Sequence, residues 1–279
     1  MAKGAIRAST LAALSLVTSC ESGTPRGVQG PASAEHRAPT PAASAKGAPR
    51  PSQDPAGSAS VPTASATAAA APDRPTEPKT MPCNVALIGD SITDYRSFGG
   101  GYVRYLEERC PRSRFANFAK GGAMVNQMRA RFETELAHEA RGTFSHVVIF
   151  GGVNDLYSDE TAGRTPAKIE ADLGAVYAGA RALGARVVAL TVAPWGGFTR
   201  WFTPHRAQTT RELNAWIREQ TADGSVDAVV DAFALLSCGD ADRLCERYER
   251  SRPDGLHPGK AGHEVLGAAL YAAEFHACP

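Results

Sequence analysis

The chain has 279 residues, and its 30 Lys and Arg against 29 Asp and Glu give a formal net charge of +1. Residues 83–279 alone hold 22 basic and 24 acidic residues with no basic cluster, which argues against a nucleic-acid partner. Those 197 residues have an ordinary globular composition and suit one domain, whereas the first 82 do not.

Residues 1–20, MAKGAIRASTLAALSLVTSC, set Lys3 and Arg7 before a short apolar run that ends in small residues and Cys20. This is the layout of a secretory signal, and the run is too short and too weakly apolar to span a bilayer stably. Its end, Val17-Thr18-Ser19-Cys20, resembles a bacterial lipobox, whose cysteine becomes the lipidated first residue of the mature chain. The plainer alternative is an ordinary signal peptide with a chance cysteine. The lipobox reading implies a protein held at the bacterial cell envelope by an N-terminal lipid anchor, on its periplasmic or extracellular face. Residues 21–82 contain no Phe, Trp, Tyr, Leu or Ile, and 45 of the 62 are Ala, Pro, Gly, Ser or Thr. Such a segment buries too little apolar surface to offset its chain entropy and is expected to be a disordered tether, with a reach of roughly 40–50 Å.

From residue 83 onward, short β-rich apolar runs alternate with longer stretches of helical spacing. The runs at 84–89, 114–118, 146–152, 186–192 and 227–233 read as strands, the third and fourth nearly continuous, as in strands covered on both faces. The stretches at 101–110, 124–140, 166–183, 204–220 and 259–277 read as helices. Strand–helix alternation predicts a three-layer α/β domain, a parallel sheet of about five strands with helices on both faces. Ligands in such sheets bind beyond the carboxyl ends of the strands. The segments there are GDSIT, AKGGAM, GGVND and APWGGFTRWF, joined by DGLHPGKAGH before the last helix.

A serine hydroxyl attacks a carbonyl only when a base takes its proton and a third group orients that base. Ser91 follows the first strand, and His257 has Asp254 three residues before it, a spacing that can set the carboxylate against one ring nitrogen. The backbone N–H of Ser91, a glycine N–H from Gly121-Gly122 and the Asn154 side-chain amide are candidate donors to a developing oxyanion. Taken one by one, Ser91 suits a turn, Asn154 an Asx turn, Asp254 a helix entry and His257 a surface loop.

Taken together, the segments resemble the SGNH, or GDSL-type, hydrolases, whose four blocks fall in order over most of residues 83–279. GDSIT carries the nucleophile position at Ser91. NFAKGG matches the second block; aligning Asn117 with its opening asparagine puts the oxyanion glycine at Gly122, with Gly121 adjacent. GGVND places the oxyanion side chain at Asn154, and DGLHP gives Asp254 and His257 as acid and base. The resemblance implies a flavodoxin-like fold and hydrolysis of esters or thioesters by a Ser-His-Asp triad, with no metal or cofactor. A non-catalytic module binding an envelope glycan or lipid on the same fold is the alternative, although it would have no need of Asp254 and His257 together.

Other features bear on structure and substrate. Cys238 and Cys245 bracket the polar GDADRL, which a disulfide would close; the pairing of Cys83, Cys110 and Cys278 is open, and no cysteine or histidine spacing suits zinc. Asp90 is expected to hold the serine turn by bonding loop backbone, and His263, on the final helix, to serve packing or the surface rather than catalysis. The glycines at 99–101 lack the rest of a dinucleotide fingerprint. Residues 193–206, with Trp195, Phe198, Trp201, Arg200 and Arg206, form either a substrate-contacting loop or a loop folded over its own aromatics. As a substrate loop, their flat faces and arginines favour short acyl esters on glycans over long lipid chains.

Overall fold

Five of the apolar runs form one parallel sheet. The structure is a computed structural model and describes residues 81–97, 99–139 and 143–279. The signal segment, Cys20 and all but the last two residues of the expected tether lie outside the described residues. β1 (Asn84–Gly89), β2 (Arg114–Asn117), β3 (His146–Phe150), β4 (Arg186–Leu190) and β5 (Ala228–Val230) lie in the order β2-β1-β3-β4-β5. β1 pairs with β2 on one side (Asn84↔Arg114) and with β3 on the other (Val85↔His146), so the order reverses there. In a doubly wound sheet that reversal opens the crevice for ligands.

Helices fill the crossovers. α1 (Gly101–Arg109) joins β1 to β2, and α2 (Val125–Arg131) runs through a π-turn at Phe132–Leu136 into α3 (Ala137–Glu139) before β3. The short α4 (Val153–Tyr157) and α5 (Asp159–Ala162) precede α6 (Pro166–Ala182), and α7 (Pro204–Glu219) connects β4 to β5. The chain then forms α8 (Ala232–Leu236), a hairpin of β6 (Ser237–Cys238) and β7 (Asp240–Leu244), and α9 (Lys260–Leu270). α6 and α7 both start at Thr-Pro. The Thr165 and Thr203 hydroxyls accept from the Lys168 and Arg206 N–H groups, while each proline occupies a first-turn position with no N–H to satisfy.

The period of two along the strands divides the core. Ala86, Ile88, Val147, Ile149, Val187 and Ala189 pack with Met128 of α2, Leu173 and Val176 of α6, and Leu213 and Ile217 of α7. Val85, Leu87, Val148, Phe150, Val188 and Leu190 pack with Val103 and Leu106 of α1 and Leu266 and Leu270 of α9. Each central strand is therefore apolar on both faces, as its sequence predicts. The last predicted strand is shorter than expected. It stops at Val230 because the Asp231 carboxylate accepts the Ala234 N–H at 3.1 Å and starts α8.

Cys83 and Cys278 form a disulfide across 195 residues of sequence, tying the start of β1 to the end of the chain. Cys238 and Cys245 are bonded as expected and close the β6–β7 hairpin, and Cys110 is free and buried.

Candidate active site

At the end of β1 the chain turns within four residues. The Thr93 and Asp94 N–H groups donate to the Asp90 carbonyl at 3.1 and 2.9 Å, and the Asp90 carboxylate accepts the Ile92 N–H at 2.9 Å. Asp90 thus bonds loop backbone as expected, and the turn presents Ser91 at the rim. Ser91 Oγ lies 2.8 Å from His257 Nε2, and His257 Nδ1 lies 2.7 Å from Asp254 Oδ2. An ionised carboxylate only accepts, so Nδ1 carries the ring proton and Nε2 is bare toward the serine hydroxyl.

Asp254 is held as the charged form. Partial burial pushes its pKa up, but the His257 backbone N–H, the His257 ring and the Leu256 N–H together bring it below the usual carboxylate value. The two N–H groups reach Oδ1 at 2.8 and 3.0 Å, leaving Oδ2 for the ring. The turn that makes this possible packs backbone to backbone on the loop after β4. A Cβ on Gly255 would stand 1.9 Å from the Gly197 carbonyl carbon, and Gly255 has φ +74°, so only glycine fits.

Ser91, Gly121, Gly122, Asn154 and His257 line one cleft of about 400 Å³, walled by Ser97, Tyr157, Phe198 and Leu256. The loops after β1, β2, β3 and β4 and the turn before α9 therefore meet at one rim. Two neighbouring glycines differ in what their N–H groups do. The Gly121 N–H donates to Asp94 Oδ2 at 2.9 Å, whereas the Gly122 and Ser91 N–H groups have no partner among the described residues. Asn154 is 4% exposed and spends one amide hydrogen on the Ala123 carbonyl at 3.0 Å, which leaves the other. Three donors with unused capacity thus surround the serine.

Two aspartates that sequence reasoning missed tie these loops together. Asp94 accepts from the Gly121 N–H, the Ser97 hydroxyl at 3.1 Å and the Arg96 N–H at 3.0 Å, clasping the loop after β1 to the loop after β2. These bonds outweigh the upward push of partial burial and hold its carboxyl below the ordinary value. Asp155 is fully buried beside Asn154. It accepts from the Val125 N–H at 2.9 Å and from Arg164 Nε at 2.7 Å, and Arg164 also reaches Asp172 at 2.7 Å. Asp94 directly follows GDSIT and Asp155 closes GGVND, but nothing in their spacing marks them as cross-loop acceptors.

The aromatic loop divides, and part of the substrate-loop expectation is corrected. Trp195 is 0% exposed, donates Nε1–H to Thr210 Oγ1 at 3.0 Å and meets Phe202 edge-on at 4.8 Å between centroids. It is core, because an indole with a buried hydroxyl acceptor gains more inside than at the rim. Trp201 is half-buried against Tyr157 and is not among the residues lining the cleft. Phe198 does line it. Arg206 is likewise removed from a substrate role, since its guanidinium is buried on Asp159 and the Trp201 carbonyl. The β6–β7 hairpin supports the loop from behind, its Asp242 carbonyl accepting the Gly196 N–H at 2.6 Å. His263 is packed inside the domain, as expected.

Residues 87–265 match the family of GDSL-like lipases and acylhydrolases. No curated protein sequence matches the chain. Among solved structures, the fold is similar to that of a GDSL-like lipase from Bacteroides thetaiotaomicron, at 21% identity over 68% of this chain and 86% of that one, with a TM-score of 0.57. It is also similar to a lipase/acylhydrolase from Enterococcus faecalis (22% identity, 68% and 94% of the two chains, TM-score 0.55). A catalytic mutant of an acetylxylan esterase from Geobacillus stearothermophilus shares it too (19% identity, 69% and 95%, TM-score 0.53). At these identities the likeness is one of fold.

Proposed function

This chain belongs to the GDSL-like lipase/acylhydrolase family and is a carboxylic ester hydrolase, and on that basis we propose that it cleaves short acyl esters through Ser91, His257 and Asp254. The observation that carries the reading is the unbroken hydrogen-bond chain from Ser91 Oγ through the His257 ring to Asp254, at 2.8 and 2.7 Å.

In this reading His257 Nε2 takes the Ser91 proton as Oγ bonds to the ester carbonyl carbon. Asp254 stabilises the resulting imidazolium and holds the ring in place. The carbonyl oxygen, now negative, receives hydrogen bonds from the Ser91 and Gly122 N–H groups and the Asn154 amide. Collapse breaks the bond to the alkoxy group, which leaves as the alcohol with the proton from His257. Water, deprotonated by the same ring, then attacks the acyl-serine, releasing the carboxylic acid and returning the proton to Oγ. Gly121 has no part in this, because its N–H is already given to Asp94.

The short-acyl preference rests on the cleft. Its apolar walls are Tyr157, Phe198 and Leu256, enough for an acyl group of a few carbons, and the flat rings suit a sugar ring on the alcohol side. Lipidation at Cys20 and the 21–82 tether, read from the sequence, would hold the domain off an envelope membrane.

A fluorophosphonate probe tests the catalytic reading. It should label the native chain at Ser91 and fail on Ser91→Ala, while Ser91→Ala, His257→Ala and the double variant should all lose nearly all turnover to a similar extent. Near-native turnover of a folded Ser91→Ala protein would end the reading. A profile of kcat/KM against chain length tests the substrate, and a steady rise from C4 to C12 would replace short esters with lipids. Cys20→Ala should move the protein out of the membrane fraction with its specific activity unchanged, and a variant that stays with the membrane would remove the anchor.

A further inference from the structure

Between α8 and α9 the chain makes the hairpin of β6 and β7, which is too short to hold itself together. β6 has two residues and β7 five, they pair at Ser237↔Leu244 and Cys238↔Asp240, and all but Leu244 are at least partly exposed. A two-stranded ribbon of this size is marginal in water. Two features retain it. The Cys238–Cys245 disulfide joins residues seven apart, and Leu236 and Leu244 are buried in the core with Leu266 of α9. No residue of the hairpin is among those lining the serine cleft.

The hairpin nevertheless reaches the Asp254–His257 turn from two sides. On one side the Asp242 carbonyl accepts the Gly196 N–H at 2.6 Å, and Arg211 of α7 fixes the Asp242 carboxylate at 2.7 and 2.9 Å. That bond sets the Gly196-Gly197 backbone against Gly255. A Cβ on Gly196 would stand 2.7 Å from the Asp242 carbonyl oxygen, and one on Gly197 2.6 Å from the Gly255 Cα. On the other side the Cys245 carbonyl accepts the Tyr248 N–H at 2.7 Å, and the Tyr248 carbonyl accepts the Gly259 N–H at 2.6 Å. Glu249 pairs with Pro258, the residue after His257, in an isolated bridge. The turn is therefore clamped at Gly255 and again at Pro258-Gly259. Both clamps start from the loop that the disulfide closes, one from Asp242 and one from Cys245 itself. Backbone packed this closely passes a displacement on rather than absorbing it.

We propose that the disulfide-closed hairpin positions His257 for its work on Ser91, so that opening the Cys238–Cys245 bond lowers turnover. The inference rests on the serine–histidine–aspartate reading above and goes beyond it by making a remote bond part of the acid–base geometry. Ser91 Oγ to His257 Nε2 is 2.8 Å and His257 Nδ1 to Asp254 is 2.7 Å, so a shift of about 1 Å in the turn breaks both hydrogen bonds. Cys238 is exposed, which puts the bond within reach of an external dithiol. The reagent's thiolate attacks one sulfur, and its second thiol then displaces the mixed disulfide. Cys238 and Cys245 are left as two thiols and the reagent as a disulfide. The hairpin then frays, and both clamps lose their anchor together. Full turnover thus belongs to an oxidising compartment, where this bond persists.

The test compares the native full chain with Cys238→Ser/Cys245→Ser on a p-nitrophenyl ester of a short acid. The variant should lose at least about tenfold in kcat with KM little changed. Nitrogen-15 NMR of the His257 ring should pass from a single Nδ1–H form to a mixture of tautomers, since the carboxylate no longer selects one. Thermal melts check that the variant is folded. Where it folds poorly, dithiol treatment of the native chain takes its place, with alkylation and mass spectrometry showing which bond has opened. Loss of turnover should follow Cys238–Cys245 rather than Cys83–Cys278 and should reverse on reoxidation. A folded variant with less than about a tenfold loss in kcat, a rise in KM alone, an unchanged ring spectrum, or a loss that follows only Cys83–Cys278 would each overturn the proposal. Ser91→Ala, assayed in parallel, keeps the two readings apart. If it is inactive while the cysteine variant turns over at the native rate, only the hairpin's role falls. If it keeps native turnover, the triad falls, and the ring spectrum decides whether the hairpin holds the turn.

Discussion

Replacing Asp90 by Asn should make the protein more stable at pH 8 and not at pH 4. Asp90 is 1% exposed, forms no ion pair among the described residues, and accepts the Ile92 N–H through one oxygen. Burial, with the charge of Asp155 adding to it, raises its pKa from 3.8 to about 7. At about 1.36 kcal/mol per pKa unit, a rise of about three units corresponds to roughly 4 kcal/mol between the two protonation states. The sign follows from the direction of the shift. A carboxyl whose pKa is raised on folding contributes stability fully below its unfolded value near 4, and that contribution is lost as pH rises through about 7. Asn keeps an acceptor for the Ile92 N–H and carries no charge at any pH. The difference in unfolding free energy, native minus Asp90→Asn, should therefore fall by up to about 4 kcal/mol between pH 4 and pH 8. Urea unfolding across that range, with equal slopes for the two proteins, measures it directly. A flat difference, or a variant less stable than the native chain at pH 8, would show that the carboxyl is not a buried group with a raised pKa.

Asn154→Ala should lower kcat by about 10²–10³, or roughly 2.7–4 kcal/mol, with KM little changed, because its spare amide hydrogen strengthens its bond only as the oxyanion forms. A rise in KM alone would make Asn154 a ground-state binding residue. Trp195→Ala should cost about 3–5 kcal/mol of stability by emptying a core site, and a cost under about 1 kcal/mol by chemical denaturation would contradict its burial. Reduction of the Cys83–Cys278 disulfide, or Cys83→Ser, should cost about 2–5 kcal/mol, since the bond closes nearly the whole domain; an unchanged melting temperature under reductant would show that the bond does not form in solution.

The sheet was legible because its central strands are apolar on both faces and its crossovers keep helical spacing, two patterns that local sequence carries without help. The shorter pieces were not. α4, α5, α8 and the β6–β7 hairpin each span one turn or a few residues, too little for a period to show, and they form because the sheet and longer helices already fix their ends. Asp231 illustrates this. Read alone, it interrupts an apolar run; in the fold it caps α8 and bonds Thr191 of the neighbouring loop at 2.9 Å.

The site divides along the same line, between what spacing carries and what only contact decides. Asp254 and His257 are three residues apart, so their pairing is local and readable. Which of two adjacent glycines keeps a spare N–H is not local, because it depends on Asp94, 27 positions before Gly121, reaching across to take one of them. Trp195 and Phe198 are likewise three apart in one loop, yet one is core and the other lines the cleft. What separates them is Thr210 on α7, which offers the indole a buried acceptor at 3.0 Å and draws it inward. Residue type and spacing thus identify the loops that meet at the rim. The role of each atom there is set by partners on other elements, and those partners, Asp94, Asp155 and Thr210, are ordinary polar residues until the chain is folded.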